Sequence, residues 1–74
     1  MAFPQKFIDF GKITFTNCSV TLYASNFDTR SICNVPCGKV INAYWQGNHV
    51  VIEMASGWVY NYDDFGHISG RYMK

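Results

Sequence analysis

An all-β fold is the prediction: one small barrel of five or six antiparallel strands joined as a meander. Three observations carry it. Apolar residues recur at every second position along most of the chain, and no window of helical length shows an apolar stripe with a 3.6-residue period. Tight turn signals separate the later segments at short spacing. A flat meander of these segments would leave aromatic faces and two edges open, whereas curling the sheet buries the first and shortens the second.

In chain order, "KITFT" (12–16) sets Ile13 and Phe15 on one face and Lys12, Thr14 and Thr16 on the other, the pattern of a half-buried strand. "SVTLYAS" (19–25) alternates Val20, Leu22 and Ala24 with Ser19, Thr21, Tyr23 and Ser25. "NFDTRS" (26–31) is polar and rich in turn formers, and reads as a loop. "KVINAYW" (39–45) places Ile41, Ala43 and Trp45 on one side, with Val40, Asn42 and Tyr44 on the other. "QGN" (46–48) is a hairpin signal, after which "HVVIEM" (49–54) sets Val50, Ile52 and Met54 against Val51 and Glu53. "ASG" (55–57) makes the next tight turn, and "WVYNY" (58–62) puts Trp58, Tyr60 and Tyr62 on one face. "DDFG" (63–66) supplies a third turn, and "HISGRYM" (67–73) closes the meander with Ile68 and Tyr72 alternating against His67, Ser69 and Arg71.

Seventy-four residues make one domain, spanning 1–74. A chain of this size buries only about 60% of the surface its unfolded form exposes, so its core has to be dense in large side chains. The composition fits, at 49% hydrophobic and 18% aromatic. The formal charge is +1, and Lys6, Lys12, Arg30, Lys39, Arg71 and Lys74 are scattered. Nucleic-acid binding lacks the basic stripe from which such proteins draw most of their affinity, and ranks third among the functions considered, as single-stranded binding on aromatic platforms. Nothing reaches the length of a membrane span, and Lys6 and Asp9 interrupt what would be the apolar core of a signal peptide. The expectation is a cytoplasmic protein with no membrane contact, or an exported one if the chain is a fragment of something longer. Three cysteines, Cys18, Cys33 and Cys37, cannot all pair within the chain, which favours free thiols, with a Cys33 to Cys37 bridge as the open alternative.

Several stretches resemble a known family. "SICNVPCGKVINAY" (31–44) is similar to the middle segment of bacterial SH3-like domains, while "SGWVYNY" (56–62) and "GHISGRYMK" (66–74) look like their final strands and short helical turn. With "TLYAS" the resemblance covers roughly residues 20 to 74, and it implies an SH3-like barrel whose ligands are cell-wall peptides or partner proteins. A weaker resemblance links "YNYDDFGHISGR" (60–71) to the β-hairpin of tyrosine-aspartate repeats, although one copy has no stacked neighbour.

The aromatic set Tyr23, Tyr44, Trp45, Trp58, Tyr60 and Tyr62 is the candidate ligand-binding surface, with Asp63 and Asp64 at its rim. Rings of this kind line grooves that dock extended peptides. Core filling competes with that reading, because one face of every half-buried strand is apolar in any case. Asp63 and Asp64 also read as turn formers, since adjacent carboxylates on a strand point to opposite sides. Zinc on Cys33 and Cys37 with His49 or His67 has weak spacing, and a nucleophile pair of Cys18 or Cys37 with His49 or His67 needs a contact that spacing does not supply. The sequence reading is therefore a non-enzymatic binding module without metal or cofactor, docking a peptide-like ligand or partner protein. The alternative is a structural protein that self-assembles through an exposed sheet face or edge.

Overall fold

The computed structural model describes residues 2–36 and 38–74. A short helix, α1 (Gln5–Phe10), precedes seven strands: β1 (Lys12–Phe15), β2 (Val20–Tyr23), β3 (Thr29–Ser31), β4 (Val40–Gln46), β5 (His49–Met54), β6 (Trp58–Tyr62) and β7 (Ile68–Met73). They form two antiparallel sheets in meander order, β1-β2-β3 and β4-β5-β6-β7. The all-β prediction holds at this level. The two sheets are not closed into one hydrogen-bonded barrel. Instead they face each other across a core of Phe3, Phe7, Val20, Leu22, Ile32, Val40, Val50, Ile52, Met54, Tyr62 and Phe65. Backbone bonds from Val40 N–H to Asn17 O (2.9 Å) and from Cys33 N–H to Phe65 O (2.9 Å) stitch the sheets together at their margins.

Five local expectations give way to the structure. Thr29–Ser31, read as part of a loop, is a strand, because the bend at 24–28 returns the chain antiparallel to β2 in the register Thr21↔Ser31. Gln5–Phe10 is helical although its pattern is too short to show a period: it buries only Phe7, and Gly11 ends it in the left-handed region at φ 71° with its N–H on Phe7 O at 3.0 Å. A bulge between Val40 and Asn42 turns Val40 into the core beside Ala43 and leaves Ile41 51% exposed, the reverse of simple alternation. A second register shift, at Asn61/Tyr62, puts Ile68 opposite Tyr62 but Tyr72 opposite Val59, so Ile68 and Tyr72 occupy different faces. Residues 68–73 are strand, without the helical turn that the family resemblance implies.

The turns after β4 and β5 fall where the sequence places them. Gly47 takes φ 63° in the two-residue β4–β5 hairpin, and Gly57 takes φ 99° at the start of β6. A Cβ on Gly57 would stand 3.0 Å from Met73 Sδ, whereas one on Gly47 would meet nothing within 4 Å. Gly57→Ala is therefore expected to lower stability by about 1–2 kcal/mol, combining left-handed strain with displacement of the Met73 side chain. Gly47→Asn, in open space and with a residue that tolerates this conformation, is expected to change stability less. Urea unfolding midpoints of the two variants check both statements.

Candidate functional site

The register of the second sheet defines its two faces. Trp45, Val50 and Tyr62 are opposed in turn, as are Ala43, Ile52, Tyr60 and Arg71, and these rungs face the core. The other face carries two rungs: Tyr44, Val51, Asn61 and Gly70, then Asn42, Glu53, Val59 and Tyr72. An antiparallel sheet with one solvated face normally shows polar residues there. Here Val51 and Val59 are each 1% exposed, sheltered among larger neighbours, while Tyr44 (37% exposed) and Tyr72 (52%) stand at opposite edges of the sheet.

Glu53 organises this face. Its carboxylate accepts the Tyr44 hydroxyl at 3.3 Å and the Lys74 ammonium at 3.5 Å. The Tyr44 phenol is raised above its ordinary range, first by desolvation, then by the Glu53 charge and their hydrogen bond, and last by Tyr72. Tyr44 therefore stays neutral at physiological pH, and both tyrosines present apolar rings with polar tips. The face presents two exposed aromatic rings beside covered valines, with the Glu53 carboxylate engaged by Tyr44 and Lys74.

The sequence-predicted aromatic set does not converge on one surface. Tyr44 belongs to the outer face just described. Tyr23 lies on the other sheet, under the Lys12 ammonium at 4.7 Å from its ring centre, with its hydroxyl accepting from Thr14 at 3.4 Å. Trp58 and Tyr60 form a tilted pair at 6.4 Å on the core-facing side of β6, with the Arg71 guanidinium 5.7 Å from the Trp58 ring. Trp45 is half-buried, edge-on to Phe3 at 5.2 Å, and its Nε1–H is buried without an acceptor among the described residues. Tyr62, expected as an exposed ring, is 0% exposed and donates its hydroxyl to Asn34 O at 3.0 Å. It closes β6 on the core-facing side, opposite Val50.

Asp63 and Asp64 lie in the β6–β7 turn and point to different partners. Asp63 Oδ1 is 2.7 Å from His67 Nδ1, and Asp64 Oδ1 accepts the Gly66 N–H at 2.9 Å. Backbone N–H donors, Gly66 first and then His67 against an opposing desolvation, hold the Asp64 carboxyl below its usual range. Cys18 and Cys33 carry free, exposed thiols, and Cys37, the other partner of the bridge left open by the sequence, lies outside the described residues. Among the described residues no three His, Cys, Asp or Glu side chains are placed to hold a metal ion, and no helix is long and apolar enough to cross a membrane.

Sequence reasoning missed Tyr72, Val51 and Val59. One signal was present: "HVVIEM" has apolar residues at three consecutive positions, 50 to 52, which a strand with a single buried face does not need. Comparison with protein-family models, with curated proteins and with solved structures finds no match for the chain.

Proposed function

We propose that the chain is a non-enzymatic binding module that docks a segment of a partner protein on the outer face of the second sheet, between Tyr44 and Tyr72. The observation that carries this reading is the pair of exposed rings on that face, Tyr44 (37%) opposite Val51 and Tyr72 (52%) opposite Val59, the two valines themselves being covered. With Glu53 closed by Tyr44 and Lys74, the face suits an apolar or aromatic peptide segment better than a charged polymer. The finer architectural reading, an SH3-like barrel of the bacterial kind, is part of the same proposal. What supports it is the motifs at 31–44, 56–62 and 66–74 together with the antiparallel meander of β4 to β7.

The test is an amide-resolved NMR titration of the chain with proline-rich and aromatic-bearing peptides, with soluble cell-wall muropeptides, and with increasing amounts of the chain itself. A saturable peptide-induced shift centred on Tyr44, Val51, Val59 and Tyr72 is the expected outcome. Tyr44→Ala and Tyr72→Ala are each expected to weaken that binding about tenfold or more while leaving the dispersed spectrum of the fold intact. The same shifts produced by concentration alone would replace this reading with self-assembly through the face. Shifts confined to muropeptides would transfer it to a cell-wall ligand. A monomer whose outer-face amides respond to none of these would end it.

A further inference from the structure

A second site shares no residue with the Tyr44–Tyr72 face. The β6–β7 turn, the end of β3 and the N-terminal segment enclose an open cleft of about 580 Å³, lined by Arg30, Cys33, Asp64, Phe65 and His67 among others. We propose that this cleft is a thiol–disulfide exchange site, in which Cys33 is converted to a mixed disulfide by a small peptidic disulfide bearing carboxylates.

Four features of the cleft bear on this chemistry. Cys33 is exposed, and its Sγ–H donates to Phe65 O at 3.3 Å, which fixes the sulfur at the wall of the cleft. His67 lines the same cleft, and its Nδ1 is engaged by Asp63 Oδ1 at 2.7 Å, which orients the ring and leaves Nε2 as the nitrogen able to take a proton. The thiol lies against the turn itself: a Cβ on Gly66, the residue before His67, would be 3.1 Å from Cys33 Sγ, and Asn34 Nδ2 holds Gly66 O at 2.8 Å. Arg30 stacks on the Phe65 ring at 4.3 Å and forms no ion pair among the described residues, so its planar fork of donors is positioned and available. Asp64 is the opposing charge at the cleft, and its carboxylate is turned onto the Gly66 N–H.

The exchange balances without any further reagent. The Cys33 proton passes to His67, and the thiolate attacks one sulfur of the incoming disulfide. The new bond joins Cys33 Sγ to that sulfur, the old S–S bond breaks, and its electron pair leaves on the departing thiolate, which takes the proton back from His67. Cys33 is oxidised and one half of the incoming disulfide is reduced to a thiol. Arg30 selects the reagent by pairing with its carboxylate.

The experiment uses the full chain with Cys37→Ser, so that a cysteine close in sequence does not resolve the adduct, and reads site-resolved adduct formation by mass spectrometry. Oxidised glutathione, cystamine and hydroxyethyl disulfide are the anionic, cationic and neutral probes, and the exposed thiol of Cys18 is the internal reference. The expected result is a Cys33-to-Cys18 rate ratio roughly tenfold higher with oxidised glutathione than with cystamine. Arg30→Gln is expected to abolish that preference, and Arg30→Lys, which keeps the charge, to retain part of it. His67→Gln is expected to slow Cys33 with all three probes alike, which a merely structural role for His67 would not do while the Cys18 rate and the tryptophan emission stay unchanged. Equal rates at Cys33 and Cys18 with oxidised glutathione, a preference for cystamine, or an anionic preference that survives Arg30→Gln would overturn the proposal.

Discussion

Phe65→Ala is expected to lower stability by about 3–5 kcal/mol, the range for emptying a buried aromatic site. A chain of 74 residues holds a total of about 4–11 kcal/mol, so the loss is a large fraction of the whole. The magnitude follows from what the ring joins. It packs edge-on against Phe3 at 5.0 Å and 84° and against Phe7 at 5.1 Å and 77°, and the Arg30 guanidinium lies on it at 4.3 Å. Through these contacts one residue of the β6–β7 turn clamps the N-terminal segment, α1 and β3 to the second sheet. The Phe65 carbonyl accepts both the backbone N–H and the thiol of Cys33, so the same residue holds the two sheets together at that margin. Phe65→Leu keeps most of the apolar volume and loses the edge-on and cation–π geometry, which sets its expected cost at about 1–2 kcal/mol. Urea unfolding monitored at Trp45 and Trp58 reads both values. A loss below about 1 kcal/mol for Phe65→Ala would mean that α1 is not cooperative with the sheets, and hydrogen exchange at Phe7 and Gly11 would then show that segment opening on its own.

How much of this was legible in the sequence depends on whether the deciding interaction is local. Period-2 alternation located β1, β2 and β4 to β7, because side-chain direction along a strand follows from backbone geometry alone. The turns at Gly47 and Gly57 were legible for the same reason: φ values of 63° and 99° require glycine or something close to it. Face assignments failed at the register shifts at Val40/Asn42 and Asn61/Tyr62, since one extra residue exchanges the two sides and nothing in the side chains announces it. That failure hid the site. With Tyr72 counted beside Ile68, its position opposite Val59 on the outer face is hidden, and the aromatic set Tyr23, Tyr44, Trp45, Trp58, Tyr60 and Tyr62 shares only Tyr44 with that face. Phe65 falls inside the DDFG turn signal, and whether a turn residue dips into the core is settled by a distant partner, here Phe3 and Phe7. The choice between one closed barrel and two facing sheets is long-range in the same sense.

Tyr62 carries the other large effect, and its ring and hydroxyl can be separated. Tyr62→Ala removes the largest fully buried side chain and is expected to cost about 3–5 kcal/mol. Tyr62→Phe leaves the ring in place and strips the hydrogen bond to Asn34 O, leaving that carbonyl without its donor, for an expected cost of about 1–2 kcal/mol. The hydroxyl also imposes a pH dependence. Burial, then the neighbouring Tyr60 and Cys33, push the phenol up from 10.0 to about 12. A folded-state value above the unfolded one means that the fold favours the protonated phenol. Its contribution is therefore complete below the unfolded value of 10.0 and is lost as the pH climbs from there through about 12. Tyr62→Phe has no proton to lose at this position. Although less stable at neutral pH, it should lose stability more slowly than the wild type across that alkaline window, with Tyr44 supplying a residual slope in both proteins. Urea midpoints measured at intervals through the window give the comparison. Parallel curves would show that Tyr62 ionises without disturbing the fold, and that its hydroxyl is not held where the bond to Asn34 places it.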